Sequence, residues 1–190
     1  MIRKIYLVKV FTKNPKFGNL AGVVPEADGL SSLEMQKIAK KVGASETAFI
    51  FSSKKATFKI RWFTPKNEVG LCIHATIASV AVVKKLKMVH KNNFKLETKN
   101  TFIEVNSKQD EVTLLVSGYK TSVKVKRETD ICKLLHIEKD DLVGTPAIIS
   151  IYSDKELIVP VRSLSALKNL HPNICAAISL MNLLINSKLL

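Results

Sequence analysis

An α+β fold, with sheet wrapped around one central helix, follows from three features of the sequence. The run Ile73 to Val83 is apolar nearly all round, and a helix of that kind must be buried on every face. It is too short to cross a bilayer, so it reads as a core helix. On both sides of it lie short stretches of alternating or β-branched character, which is the signature of strands.

Taken in order, residues 2–11 (IRKIYLVKVF) read as a strand. Thr12 to Gly18 is a turn region punctuated by Asn14-Pro15, and Leu20 to Val24 is a short apolar strand. Ser31 and Glu34 stand at the spacing of a capping box. The helix they open carries Leu33, Met35, Ile38, Ala39 and Val42 on one face, and Gly43 is placed to stop it. Ser45 to Ile50 is a strand that begins with a carboxylate. Ala56 to Phe63 is another, with Phe58, Ile60 and Trp62 on one face and Lys59 and Arg61 on the other. A Thr64-Pro65 turn and a short polar loop lead to the central helix. Beyond it, 94–98, 101–106 and 111–116 read as successive antiparallel strands.

The character changes at Gly118, which divides the chain into a first lobe, 1–117, and a second, 118–190. Residues 119–128 are basic and extended, and Asp130 is placed to cap a helix through about Leu135. Two strands between Thr145 and Val161 flank a turn at Ser153-Asp154-Lys155. Ser163 to Leu170 and Ile174 to Ile185 complete the reading as helices.

The 30 Lys and Arg residues outnumber 16 Asp and Glu, for a net charge of +14. The lysines are scattered, and the arginines are few: Arg3, Arg61, Arg127 and Arg162. Arginine is the usual reader of phosphate and base edges, and no aromatic-basic interleaving accompanies it here. Nucleic acid is therefore not the expected partner. No stretch has the length of a membrane helix, and no signal peptide is legible at the N-terminus. Cys72, Cys132 and Cys175 form no CxxC pair, which points to a reducing compartment, the cytoplasm, and away from a disulfide framework.

His74 and Thr76 sit in the first turn of the central helix, where backbone N–H groups lack helical partners and favour an anion. Glu46 opens a strand. Cys72-x-His74 offers a metal two ligands, which is too few, so no metal site is expected and Cys72 is read as core.

Four phrases together resemble the PhzF-like (phenazine biosynthesis) family, of the diaminopimelate epimerase-like superfamily. They are Phe17-Gly18-Asn19-Leu20-Ala21-Gly22-Val23-Val24, Ser45-Glu46-Thr47-Ala48-Phe49, Arg61-Trp62-Phe63-Thr64-Pro65 and Glu68-Val69-Gly70-Leu71-Cys72-Ile73-His74-Ala75-Thr76. The resemblance implies two similar lobes, each a curled mixed or antiparallel sheet around one buried helix. It also implies cofactor-free transfer of a proton between carbons of a small carboxylic acid. Glu46 would then be the general acid/base, and His74, Asn19, Ile73, Ala75 and Thr76 would bind substrate.

Three positions depart from the family pattern. Ile73 stands where the family has Gly, Leu20 where it has Pro, and Gly70 where it has an acidic residue. The second-lobe phrase Glu-Asp-Pro-x-Thr-Gly-Ser has no counterpart in 119–190, so the resemblance predicts a second lobe that is incomplete at Leu190. The chain alone is then expected to be inactive, with a second copy or a separate chain completing the site. A non-catalytic remnant that binds small acids or self-associates is the alternative expectation, and a basic nucleic-acid-binding protein is a more distant one.

Overall fold

A computed structural model describes residues 3–14, 16–109, 111–116, 119–151 and 154–173. The Ile174 to Ile185 helix expected from the sequence lies outside the described residues. The chain divides into two compact units, Met1–Gly118 and Tyr119–Leu190.

The first unit is built on one mixed sheet. Its strands are β1 (Tyr6–Val10), β2 (Asn19–Val24), β3 (Glu46–Phe51), β4 (Phe58–Phe63), β5 (Glu68–Val69), β6 (Asn93–Glu97), β7 (Phe102–Lys108) and β8 (Glu111–Val116). Spatial order is β1-β2-β3-β4-β6-β7-β8, with β5 paired to β4. Two neighbouring pairs are parallel, β2–β3 and β4–β6. Parallel neighbours need a crossover connection, and each has a helix: α1 (Ser32–Val42) between β2 and β3, and α2 (Ile73–Lys85) between β4 and β6.

The alternation of side chains along a strand assigns each helix to its own face of the sheet. Ala21, Val23, Ala48, Ile50, Ile60 and Trp62 pack with Ala75, Ala78, Val82 and Val83 of α2. Val24, Phe49 and Phe63 pack instead with Met35 and Ala39 of α1. By the same parity Asn19 falls on the α2 side with Ala21 and Val23, and Glu46 falls there with Ala48 and Ile50. This places both polar strand-start residues toward the N-terminal end of α2.

Helix α1 has the ends its sequence specifies. Ser31 Oγ accepts from the Glu34 N–H while Glu34 reaches back to the Ser31 N–H. Gly43 closes the helix at φ 67°, a left-handed conformation that glycine adopts without Cβ strain. Leu33 is exposed rather than on the packed face, because the buried stripe runs through Met35 and Ala39, which are four apart.

Other differences from the sequence reading are local. The first strand is confined to Tyr6–Val10, since Phe11 turns to φ 59° and Arg3 is tied to the carbonyls of Glu26 and Asp28. The polar loop before α2 contains the short strand β5, held by the Arg61–Glu68 ion pair at 2.7 Å. Helix α2 is not buried on every face: Ile73 and Ala81 are exposed and Ile77 is half-buried, which leaves one narrow stripe open at i, i+4, i+8 spacing.

The second unit holds the antiparallel strands β9 (Tyr119–Lys124), β10 (Ala147–Ile151) and β11 (Asp154–Ile158) in the order β11-β10-β9. It also holds α3 (Glu128–Leu135), a short 3-10 turn at Lys139–Asp141 and α4 (Leu164–Lys168). Val125, Ile131 and Ile148 form its buried cluster. Asp130 lies inside the first turn of α3, with Arg127 at the cap position and ion-paired to it at 2.6 Å. Asp154 and Lys155 belong to β11, not to the turn before it. Among the described residues no helix is long and apolar enough to cross a membrane.

Candidate active site

Three side chains from two elements meet at the N-terminal end of α2. Glu46 comes from the first position of β3, Cys72 is the cap residue of α2, and His74 lies in its first turn. His74 Nε2 is 3.2 Å from Glu46 Oε2, and His74 Nδ1 is 3.2 Å from Cys72 Sγ. Glu46 is partly buried, its side chain 22% exposed. Its Oε2 atom is fully enclosed and has no aligned hydrogen-bond donor, the short approach of His74 notwithstanding.

Proton placement follows from Cys72. Burial pushes its thiol up to about 12, with the Glu46 charge and a side-chain hydrogen bond to Glu46 adding to the effect and the backbone N–H groups of Ala75 and His74 opposing it. A thiol at that value is protonated at neutral pH and can donate. Donation to Nδ1 leaves the proton of a neutral imidazole on Nε2, the nitrogen that pairs with Ser45 Oγ. The chain of groups is then Cys72 S–H to His74 Nδ1, and His74 Nε2–H to Ser45 Oγ at 3.1 Å.

Ser45 is the residue that sequence reasoning did not single out. Its Oγ is 3.1 Å from His74 Nε2, 3.1 Å from Leu20 O and 3.2 Å from Asn19 Oδ1. One hydroxyl proton serves one acceptor, so Ser45 donates toward β2 and offers its lone pair to the His74 N–H. Asn19 thereby joins the site through Ser45 rather than by touching His74. A Ser beside the Glu of a strand-start phrase was the available signal, but a hydroxyl at a strand start is common.

Ala75 and Thr76 are fully buried. The Thr76 hydroxyl donates to Cys72 O at 2.6 Å, and the Thr76 N–H makes the first helical bond to the same carbonyl at 3.0 Å. Both residues brace the first turn, and neither side chain reaches open space. Ile73 does, at 41% exposure. Cys72 is buried, as a core residue would be, but its sulfur is a member of the polar cluster. Glu46, Cys72 and His74 each offer one donor atom within 4.8 Å of the others, so the fold adds a third potential ligand to the Cys72-x-His74 pair.

The first unit is thus a mixed-sheet α+β fold that brings a carboxylate and an imidazole together at the N-terminal end of its central helix. The chain belongs to the phenazine biosynthesis-like protein family (PhzC-PhzF), whose profile matches residues 8–187. It is 35% identical to an uncharacterized isomerase of Clostridium acetobutylicum, over 91% of this chain and 61% of that protein. It is 30% identical to the uncharacterized isomerase YddE of Escherichia coli K12, with the same two shares. The chain thus spans 61% of the length of these curated relatives. Among solved structures, a Bacillus anthracis phenazine biosynthesis protein of the PhzF family superposes with a TM-score of 0.77 at 28% identity, covering 89% of this chain and 59% of that one. A predicted epimerase from Pseudomonas aeruginosa gives the same TM-score at 18% identity, covering 95% and 67%, and supports the fold alone.

Proposed function

We propose that Glu46 and His74 of this chain belong to an isomerase site that moves a proton between carbons of a small carboxylic acid, without a cofactor. The observation that carries the reading is the enclosed Glu46 Oε2, 3.2 Å from His74 Nε2. A carboxylate held at this point can take a proton from a substrate carbon and return it to another. His74, with its proton on Nε2, supplies a donor for charge that develops on the substrate. In this reading Asn19 and Ser45 hold the ring in place, and the N-terminal end of α2 faces the substrate carboxylate.

Deuterium uptake from heavy water into a panel of small unsaturated and amino carboxylic acids tests this. The expected result is exchange at a carbon-bound position that Glu46→Gln reduces by about a hundredfold or more. Exchange that survives Glu46→Gln would sink the assignment.

A second reading is binding of small acids without turnover, and Ile73 favours it. Its exposed, β-branched side chain stands at the first helical position, where a glycine would leave backbone N–H groups bare. Saturable binding of a small carboxylate with no exchange in any member of the panel would select this reading.

A further inference from the structure

Two ligands at Cys72-x-His74 do not make a metal site, but the fold brings a third. One atom each from Glu46, Cys72 and His74 lies within 4.8 Å of the other two. Zinc bonds of about 2.0–2.3 Å at tetrahedral angles hold donor atoms roughly 3.3–3.7 Å apart. The 3.2 Å between Cys72 Sγ and His74 Nδ1 is already close to that spacing. The donor set is one sulfur, one nitrogen and one oxygen, which suits a cation of intermediate softness.

Two further features support the same point. Glu46 Oε2 is enclosed and, although His74 Nε2 lies 3.2 Å away, no aligned hydrogen bond reaches it, so a cation would give it a direct partner. The imidazole also has what a ligating histidine needs on its far side. With Nδ1 beside Cys72 Sγ at 3.2 Å, Nε2 keeps its proton and has the Ser45 oxygen at 3.1 Å. A hydrogen bond to the second ring nitrogen fixes the ring and raises its basicity as a ligand.

We propose that Glu46, Cys72 and His74 form a site for a divalent cation of the zinc class, completed by one solvent ligand, and that an ion there occupies Glu46 and blocks it as a base. As the metal–sulfur bond forms, the Cys72 thiol releases its proton to solvent. The ion supplies the positive charge that ionises the sulfur. One thiolate and one carboxylate then neutralise the divalent charge, and the imidazole stays neutral. Binding stands apart from the isomerase reading; only the block on Glu46 rests on it.

The test titrates the 190-residue chain with cobalt(II) chloride, in the wild type and in a Cys132→Ser/Cys175→Ser background. One equivalent of cobalt is expected to produce a thiolate-to-cobalt charge-transfer absorption in both. Zinc should displace it, Cys72→Ser should lack it, and Glu46→Gln and His74→Gln should each weaken binding by about tenfold or more. A band that survives Cys72→Ser, or no band at saturating cobalt, overturns the site. A measurement needing no substitution covers the case of a variant that does not fold. In the wild type, zinc should shift the ring resonances of His74 and leave those of His90, His136 and His171 in place; the reverse pattern overturns the site as well. Where deuterium exchange is present, zinc at an occupancy shown by the cobalt competition should abolish it, and a chelator should restore it. Exchange unaffected at that occupancy overturns the block and leaves the acid/base assignment of Glu46 standing.

Discussion

His74 Nε2 and Glu46 Oε2 stand 3.2 Å apart, one on the first turn of α2 and the other at the first position of β3. The contact depends on strand parity, because Glu46 shares its face with Ala48 and Ile50, which pack under α2. Ser45 secures the other end of the arrangement, bridging His74 to Leu20 O and Asn19 Oδ1. Ser45→Ala should therefore cost about 0.5–1.5 kcal/mol, the range for one lost hydrogen bond, measured by urea unfolding. It should also broaden or shift the His74 ring resonances. Unchanged resonances would show that Ser45 does not position the ring.

The α1 cap is separable from the site. Ser31 Oγ accepts from the Glu34 N–H at 3.3 Å, and Glu34 accepts from the Ser31 N–H at 2.8 Å. Ser31→Ala should destabilise the chain by about 1 kcal/mol while leaving binding of small carboxylates at the α2 end unaltered. Equal losses of stability and binding would mean that α1 and the site are coupled.

Glu68 gives the fold an acid limb. Hydrogen bonding from Arg61 is the largest influence on its carboxyl and holds it below the usual range, against partial burial. Arg61 also lies over the Phe63 ring at 5.2 Å and reaches Ser32 Oγ, so the pair ties β4, β5 and α1 together. A lowered folded-state value means that the unfolded chain takes up the proton first. The stabilisation is complete above the unfolded carboxylate range of about 4.3 and is lost as pH falls through the lower folded value. Urea midpoints of wild type and Glu68→Gln should therefore differ most near neutral pH and converge in acid. A gap that widens on acidification would reverse the sign.

Much of this was legible in the sequence where the signal is local. Ser31 with Glu34, Gly43, and the Phe58-Ile60-Trp62 alternation each name their structure within a few residues. What was not legible depends on partners distant in the chain. Cys72 reads as core because it is apolar and buried, and only the arrival of Glu46 on the same face turns its sulfur into part of a polar cluster. Ser45 gains its role from carbonyl and amide groups on β2. The short β5 forms because Arg61 finds Glu68, a pairing that a polar loop does not advertise. The open stripe through Ile73, Ile77 and Ala81 was missed for the opposite reason: apolar composition gives no direction, and the sheet packs against the other faces of α2.

Ile73 decides between the two functional readings. It holds the first position of α2, is 41% exposed, and stands beside the first-turn N–H groups that precede the Thr76-to-Cys72 bond. An anion attracted to that terminus must approach backbone closely, and a branched side chain at this position occupies part of the approach. Ile73→Gly removes the obstacle at small cost: the side chain is largely outside the core, and glycine costs at most about 1 kcal/mol relative to alanine even inside a helix. The expected outcome is tighter binding of a small carboxylate by calorimetry, with the amide resonances of residues 73–75 moving most on titration. If Ile73 is the reason for binding without turnover, the substitution should also raise deuterium exchange, and Glu46→Gln on the same background should remove the gain. Affinity unchanged by Ile73→Gly would show that the anion does not enter at this helix terminus, and His74 with Ser45 would then be left as the binding groups.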